Sequence, residues 1–254
     1  LVLSLLVLLS LGCAAFQRAV FYGQNVTSAP SGPTYQYIAG ESGSGSTLAS
    51  SSVAVTVNTV NGDLLIANCQ RLQTGSVAVV SVTDANGETW NNEAELNPST
   101  PAGSGYSAVF VAVVAHGGTG DVITCSKQGT GTPISMSMTV DAFRSSSAWS
   151  DQGDGTPTDQ NTANYALASA AGPCTVPASG ATVQANELVY GSCFAQTGTV
   201  SSASGYTTAQ NNTFTSIGQV YTAYQPITSI STPTFTTNGT LTDPQSLILT
   251  FAPN

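Results

Sequence analysis

Along most of this chain apolar and polar residues alternate one for one. Ile134, Met136, Met138, Val140 and Ala142 alternate with Ser135, Ser137, Thr139 and Asp141, which predicts a strand with one apolar face and one face toward water. Residues 53–57, 77–82, 106–115 and 247–251 are further runs rich in Val, Ile, Thr and aromatic residues, the composition that fits a pleated surface. Turn signals separate them at Asn61-Gly62-Asp63, Asp84-Ala85-Asn86-Gly87, His116-Gly117-Gly118 and Asn238-Gly239, where Gly and Asn supply the backbone freedom a reversal needs. No segment after residue 22 keeps a helical period. The pattern predicts roughly fourteen short strands and an all-β fold, an antiparallel, jelly-roll-like β-sandwich.

The two halves of the chain resemble each other. Gly62-Asp63-Leu64-Leu65-Ile66-Ala67-Asn68-Cys69 parallels Asn186-Glu187-Leu188-Val189-Tyr190-Gly191-Ser192-Cys193, each an acid opening an apolar strand that ends in Cys. Asn86-Gly87 and Ser204-Gly205 mark comparable turns. Ala108-Val109-Phe110-Val111-Ala112 answers to Gln219-Val220-Tyr221-Thr222-Ala223, and Val140-Asp141-Ala142-Phe143 to Ile248-Leu249-Thr250-Phe251. A repeat of about 110–125 residues is too long for a solenoid. It predicts two related strand sets, 34–144 and 164–254, interleaved into one sandwich domain (34–254). Residues 145–163, with Asp151, Gly153, Asp154 and Gly155, form an exposed crossover. Two independent sandwiches joined at that crossover are the alternative.

Residues 1–15 are almost wholly apolar and read as a signal peptide or hydrophobic anchor, followed by a linker over 16–33. Three readings stand side by side. Cys13-Ala14-Ala15 offers small residues for cleavage before Phe16; Ser10-Leu11-Gly12-Cys13 is similar to a lipobox that would lipidate Cys13; and the segment retained would serve as an anchor. All three place the protein outside the cytoplasm, secreted or on the cell surface, with membrane contact only through residues 1–15 or a lipidated Cys13. Cys69, Cys125, Cys174 and Cys193 remain, an even number in an exported chain. Three pairings are open. Cys69–Cys125 with Cys174–Cys193 keeps each bridge within one half, while buried free thiols are the other possibility.

Composition narrows the function. The chain carries 4 Lys+Arg against 13 Asp+Glu, a formal charge of −9, and 32 Ser with 34 Thr. So few cations, and no cluster of them, exclude neutralisation of many phosphates and hence nucleic-acid binding. Scarce charge with abundant Thr, Val and Gly disfavours a helical bundle.

The order of these motifs, from Tyr37-Ile38-Ala39 through Gly62-Asp63-Leu64-Leu65-Ile66-Ala67 and Val82-Thr83-Asp84-Ala85-Asn86-Gly87-Glu88-Thr89-Trp90 to Val140-Asp141-Ala142-Phe143 and Leu249-Thr250-Phe251, resembles a broad group of bacterial secreted and cell-surface β-sandwich domains. The resemblance spans about residues 35–253 and implies an adhesive, carbohydrate-associated or structural module. It supplies no catalytic motif, and fold alone does not fix function.

Candidate chemistry is sparse. His116, the single histidine, lies in a turn and reads as an ordinary turn residue rather than a base. Gly40-Glu41-Ser42-Gly43-Ser44 lacks the final Gly of a nucleophile elbow. Glu93 and Glu95 alternate on one strand face and Asp151 and Asp154 share a loop, a minimum requirement for glycoside chemistry, although solubilising surface charge is the simpler account of them. Asp151, Asp154 and Asp159 depart from calcium-loop spacing. Trp149 and Trp90 are candidate platforms for a sugar; Trp149, outside any alternating run, is the better candidate for an exposed ring, and Trp90 has a core plug as its other reading. Asn25, Asn211 and Asn238 open glycosylation sequons. The sequence therefore predicts a non-enzymatic structural or adhesive module without metal or cofactor. Copies of itself or a polysaccharide are its expected partners. A carbohydrate-binding module is the first alternative, and a carbohydrate-active enzyme using two carboxylates the second.

Overall fold

The computed structural model describes residues 32–45, 52–74, 80–96, 105–127, 132–151, 156–159, 163–167, 171–215 and 217–254. Cys13, Asn25, the hydrophobic segment 1–15 and residues 152–155 lie outside them. Fifteen strands follow in order: β1 (Tyr35–Gly45), β2 (Ser52–Val57), β3 (Leu64–Thr74), β4 (Val80–Asp84), β5 (Asn91–Leu96), β6 (Gly105–Val113), β7 (Asp121–Lys127), β8 (Thr132–Ser145), β9 (Asn164–Leu167), β10 (Thr175–Pro177), β11 (Leu188–Ala195), β12 (Thr207–Phe214), β13 (Gly218–Pro226), β14 (Thr234–Thr236) and β15 (Gln245–Phe251). All paired strands run antiparallel, and no helix occurs among the described residues.

The halves do not interleave. The first builds a five-stranded sheet, β1-β8-β3-β6-β5, and a three-stranded sheet, β2-β7-β4; the second builds β12-β13-β11-β15-β9 and the pair β10-β14. Read from the other edge, the second large sheet is β9-β15-β11-β13-β12, the order of the first with each strand replaced by its counterpart. The place of β4 is taken by the single bridge Ala203–Thr237 beside β14. Register confirms the order of the strands but shifts one sequence match by two residues, since Val109, not Val111, stands in the place of Thr222. Ile66 pairs with Val111 and Asp141 as Tyr190 pairs with Tyr224 and Leu249. Both outer strands bulge at the same point, Glu93 in β5 and Ala209 in β12. That bulge breaks the alternation that would have put Glu93 and Glu95 on one face. Gly62 and Asn186, each just before the acid that opens the central strand, both have positive φ, 89° and 63°; Gly adopts this freely, and Asn is among the few other residues that tolerate it.

Apolar burial follows the same plan. One core lies between the two sheets of the first half, with Leu65, Ala67, Phe110, Ile123, Met136, Met138 and Val140. A second lies inside the second half, with Val176, Val189, Tyr221, Phe235 and Ile248. A third joins the two five-stranded sheets through Leu64, Ile66, Val109, Val111 and Phe143 on one side and Leu188, Tyr190, Leu247, Leu249 and Phe251 on the other. β1 lies against β12 and β5 against β9. Since β9 is the counterpart of β1 and β12 of β5, the halves meet as a self-complementary pair does, through the same face of each.

This packing corrects two expectations. The polar face of β8 is not wet: Ser135, Ser137, Thr139 and Asp141 are all buried, because that face lies toward the second half. The crossover is not wholly exposed either. Trp149, Thr156, Thr158 and Asp159 are buried, and Ser150 and Asp159 donate backbone hydrogen bonds to the carbonyls of Ala252 and Thr250.

Candidate functional site

Most acidic side chains whose partners are defined hold backbone in place. Asp63 accepts the Val60 amide at 2.8 Å and Glu187 the Gln184 amide at 3.0 Å, each three residues back, so the repeated acid ties down the turn that launches each central strand. Arg144 closes a two-pronged pair on Asp63 through Nε and Nη2, both at 2.7 Å, which raises the guanidinium pKa. Asp84 gathers the amides of Asn86, Gly87 and Glu88 and the indole Nε1 of Trp90 at 2.6 Å. Trp90, half-buried, packs against the first core. Glu88 in turn accepts the amides of Ala115 and His116 at 2.8 and 2.7 Å, and the His116 ring, 73% exposed, stands 3.8 Å from it. The Asp84–Trp90 stretch is thus a carboxylate-organised turn.

The densest polar cluster lies between the halves, where β8, β3 and β1 face β11, β12 and β13. Asp141 is fully buried. Its Oδ1 accepts from Gln210 Nε2 at 2.8 Å and Tyr37 Oη at 3.0 Å, and its Oδ2 from Tyr190 Oη at 2.7 Å. Tyr190 Oη accepts from Asn68 Nδ2 at 2.8 Å. The Thr222 hydroxyl bonds to the same carboxyl and accepts the Gln210 amide at 3.1 Å. Removal from water raises the Asp141 pKa more than these donors lower it, and burial followed by the adjacent carboxylate pushes the Tyr190 phenol up. Stacking of Tyr37 on Tyr224, and edge contacts of Phe143 with Tyr190 and Tyr224, enclose the group. The carboxyl so enclosed has no exposed surface.

The remaining predicted residues are placed as follows. Cys69 bonds Cys125 and Cys174 bonds Cys193, the pairing that keeps each bridge within one half, and both fit an oxidising compartment. Trp149 is not an exposed ring. It is 7% exposed, donates Nε1 to the Gly62 carbonyl at 3.0 Å, stacks on Tyr35 and meets Phe251 edge-on. Asn211 binds the Val200 carbonyl and Gln219, and Asn238 caps the amides of Ser201 and Ser202. Asp159 is buried and accepts the Val183 amide at 3.1 Å. Among the described residues no group of three or more His, Cys, Asp or Glu is placed to hold a metal.

Sequence reasoning passed over Asn68, Asp141, Tyr190, Gln210 and Thr222. The signal was present in the repeat, where Asp141 stands opposite Leu249 and Tyr190 opposite Ile66. No family model, curated protein or solved structure matches the chain.

Proposed function

We propose that this protein is a non-enzymatic extracellular or cell-surface module with a structural or adhesive role. The observation that carries the reading is the use made of its carboxylates. Asp63, Asp84, Glu88, Asp159 and Glu187 each bind backbone amides, and Asp141 is sealed between the halves. Acid–base catalysis needs such groups open to a substrate. A disulfide across the sheets of each half adds to a block suited to bearing load or presenting a surface.

The test is to purify the protein from culture supernatant and measure its mass by light scattering, its form by electron microscopy and its retention on insoluble polysaccharides. Ordered assemblies, or retention on the producing cells' surface without turnover, support the reading. Hydrolysis of a glycan or ester, abolished by a single Asp or Glu substitution, would overturn it. Tyr165, 55% exposed on β9, is the only Phe, Tyr or Trp exposed among the described residues. A carbohydrate-binding role would rest on it rather than on Trp149, and polysaccharide retention lost in Tyr165→Ala would favour that alternative.

A further inference from the structure

The contact between the halves is two-fold in backbone and one-sided in chemistry. By register, Asp141 corresponds to Leu249, Tyr190 to Ile66, Gln210 to Ala94, Thr222 to Val109 and Tyr224 to Val111. The polar set clusters at one side of the contact. Its five counterparts, all apolar, are buried in the core joining the halves.

We infer that this one-sided polar set is a recognition key. It makes each five-stranded face accept the unlike half and reject its like, whether the partner face belongs to the same chain or to a second copy.

Pairing like with like would leave buried polar groups unsatisfied. If two first halves met in this geometry, Ile66 and Ala94 would replace Tyr190 and Gln210. Asp141 would then keep only Tyr37, from its own sheet, and Asn68 would lose its hydroxyl acceptor. A buried carboxylate stripped of all but one donor is strongly unfavourable. If two second halves met, Gln210 and Tyr190 would lie against Leu249, with no carboxylate to accept from either. Only the unlike pair satisfies both sets, which is selection by penalty on the wrong partner. Raw stability does not require such a network, since well-packed apolar groups of similar volume often serve as well or better. Its distinctive effect is on which faces pair.

The test uses the full chain with both disulfides intact, unfolded in denaturant and refolded over a range of concentrations, then sized by chromatography with light scattering. Wild type sets the baseline, which includes any exchange of unlike halves between copies. The first variant replaces the key by apolar groups of similar volume: Asp141→Leu, Tyr190→Phe, Gln210→Met, Thr222→Val, Asn68→Leu and Tyr37→Phe. It is expected to fold with an unfolding midpoint at or above wild type. At the highest concentration its dimer fraction should be about tenfold greater, because like faces no longer repel. The second variant, Ile66→Tyr, Ala94→Gln and Leu249→Asp, installs a matching key on the apolar side. It makes each face self-complementary, so the same rise in dimer is expected. If neither variant exceeds the wild-type dimer fraction, the inference is overturned. It is equally overturned if the apolar variant fails to fold, for the network would then be a requirement of stability.

Discussion

Asp141 sits where water cannot reach it, and its pKa is raised by that burial despite four donors. Glu187 is raised for the same first reason, burial. A carboxyl with a folded pKa above its unfolded value binds its proton more tightly in the native state. Its contribution to stability is therefore greatest below the unfolded pKa. It declines as pH rises through the interval up to the folded pKa, and is constant beyond. The free energy of unfolding should accordingly fall as pH rises from about 4, the ordinary aspartate value, by up to ~1.4 kcal/mol per pH unit for each group titrating. Asp141→Asn should flatten part of that decline, leaving the parts due to Glu187 and Asp121, whose carboxyl is also raised by burial. Urea titrations at a series of pH values will show it. An unchanged slope in the variant would mean that Asp141 is already ionised without penalty.

Among the strands, β11 carries a tight packing constraint at its centre. Gly191 in β11 corresponds to Ala67 in β3, and a Cβ at Gly191 would overlap the Phe235 ring, which is itself fully buried. Gly191→Ala should therefore destabilise the protein by about 1–3 kcal/mol, the usual penalty for overpacking, even though its counterpart carries that same methyl. A thermal melt will measure it, and Phe235→Leu in the same chain should recover part of the loss. The disulfides act between strands as well. With separations of 56 and 19 residues, loop-closure entropy assigns about 4 kcal/mol to Cys69–Cys125 and about 3 kcal/mol to Cys174–Cys193. Replacing each pair by Ser should lower the denaturation midpoint in that order; the reverse order would show that native packing, not chain entropy, dominates.

For the whole molecule, the strands, the turns and the kinship of the halves were legible because two-residue alternation and Gly or Asn turns are local signals. The stacking of the halves was not. Ser135, Ser137, Thr139 and Asp141 look like a wet face in sequence, and only the presence of a second sheet against them makes that face interior. Trp149 was misread for a related reason. Its neighbours in sequence are small and polar, but its neighbours in space are Tyr35 and Phe251, more than a hundred residues away on either side. The buried polar cluster could have been found by asking which polar residues of one repeat face apolar residues in the other.

The bridges also bear on the protein's history. Cys69 and Cys193 occupy equivalent places on the central strands, but their partners do not: Cys125 is on β7, whereas Cys174 immediately precedes β10, the counterpart of β2. If the halves descend from one duplicated ancestor, a single ancestral bridge cannot account for both. Oxidation thus staples the same central strand to its small sheet from two different places, the second strand of the trio in one half and the approach to the first strand of the pair in the other.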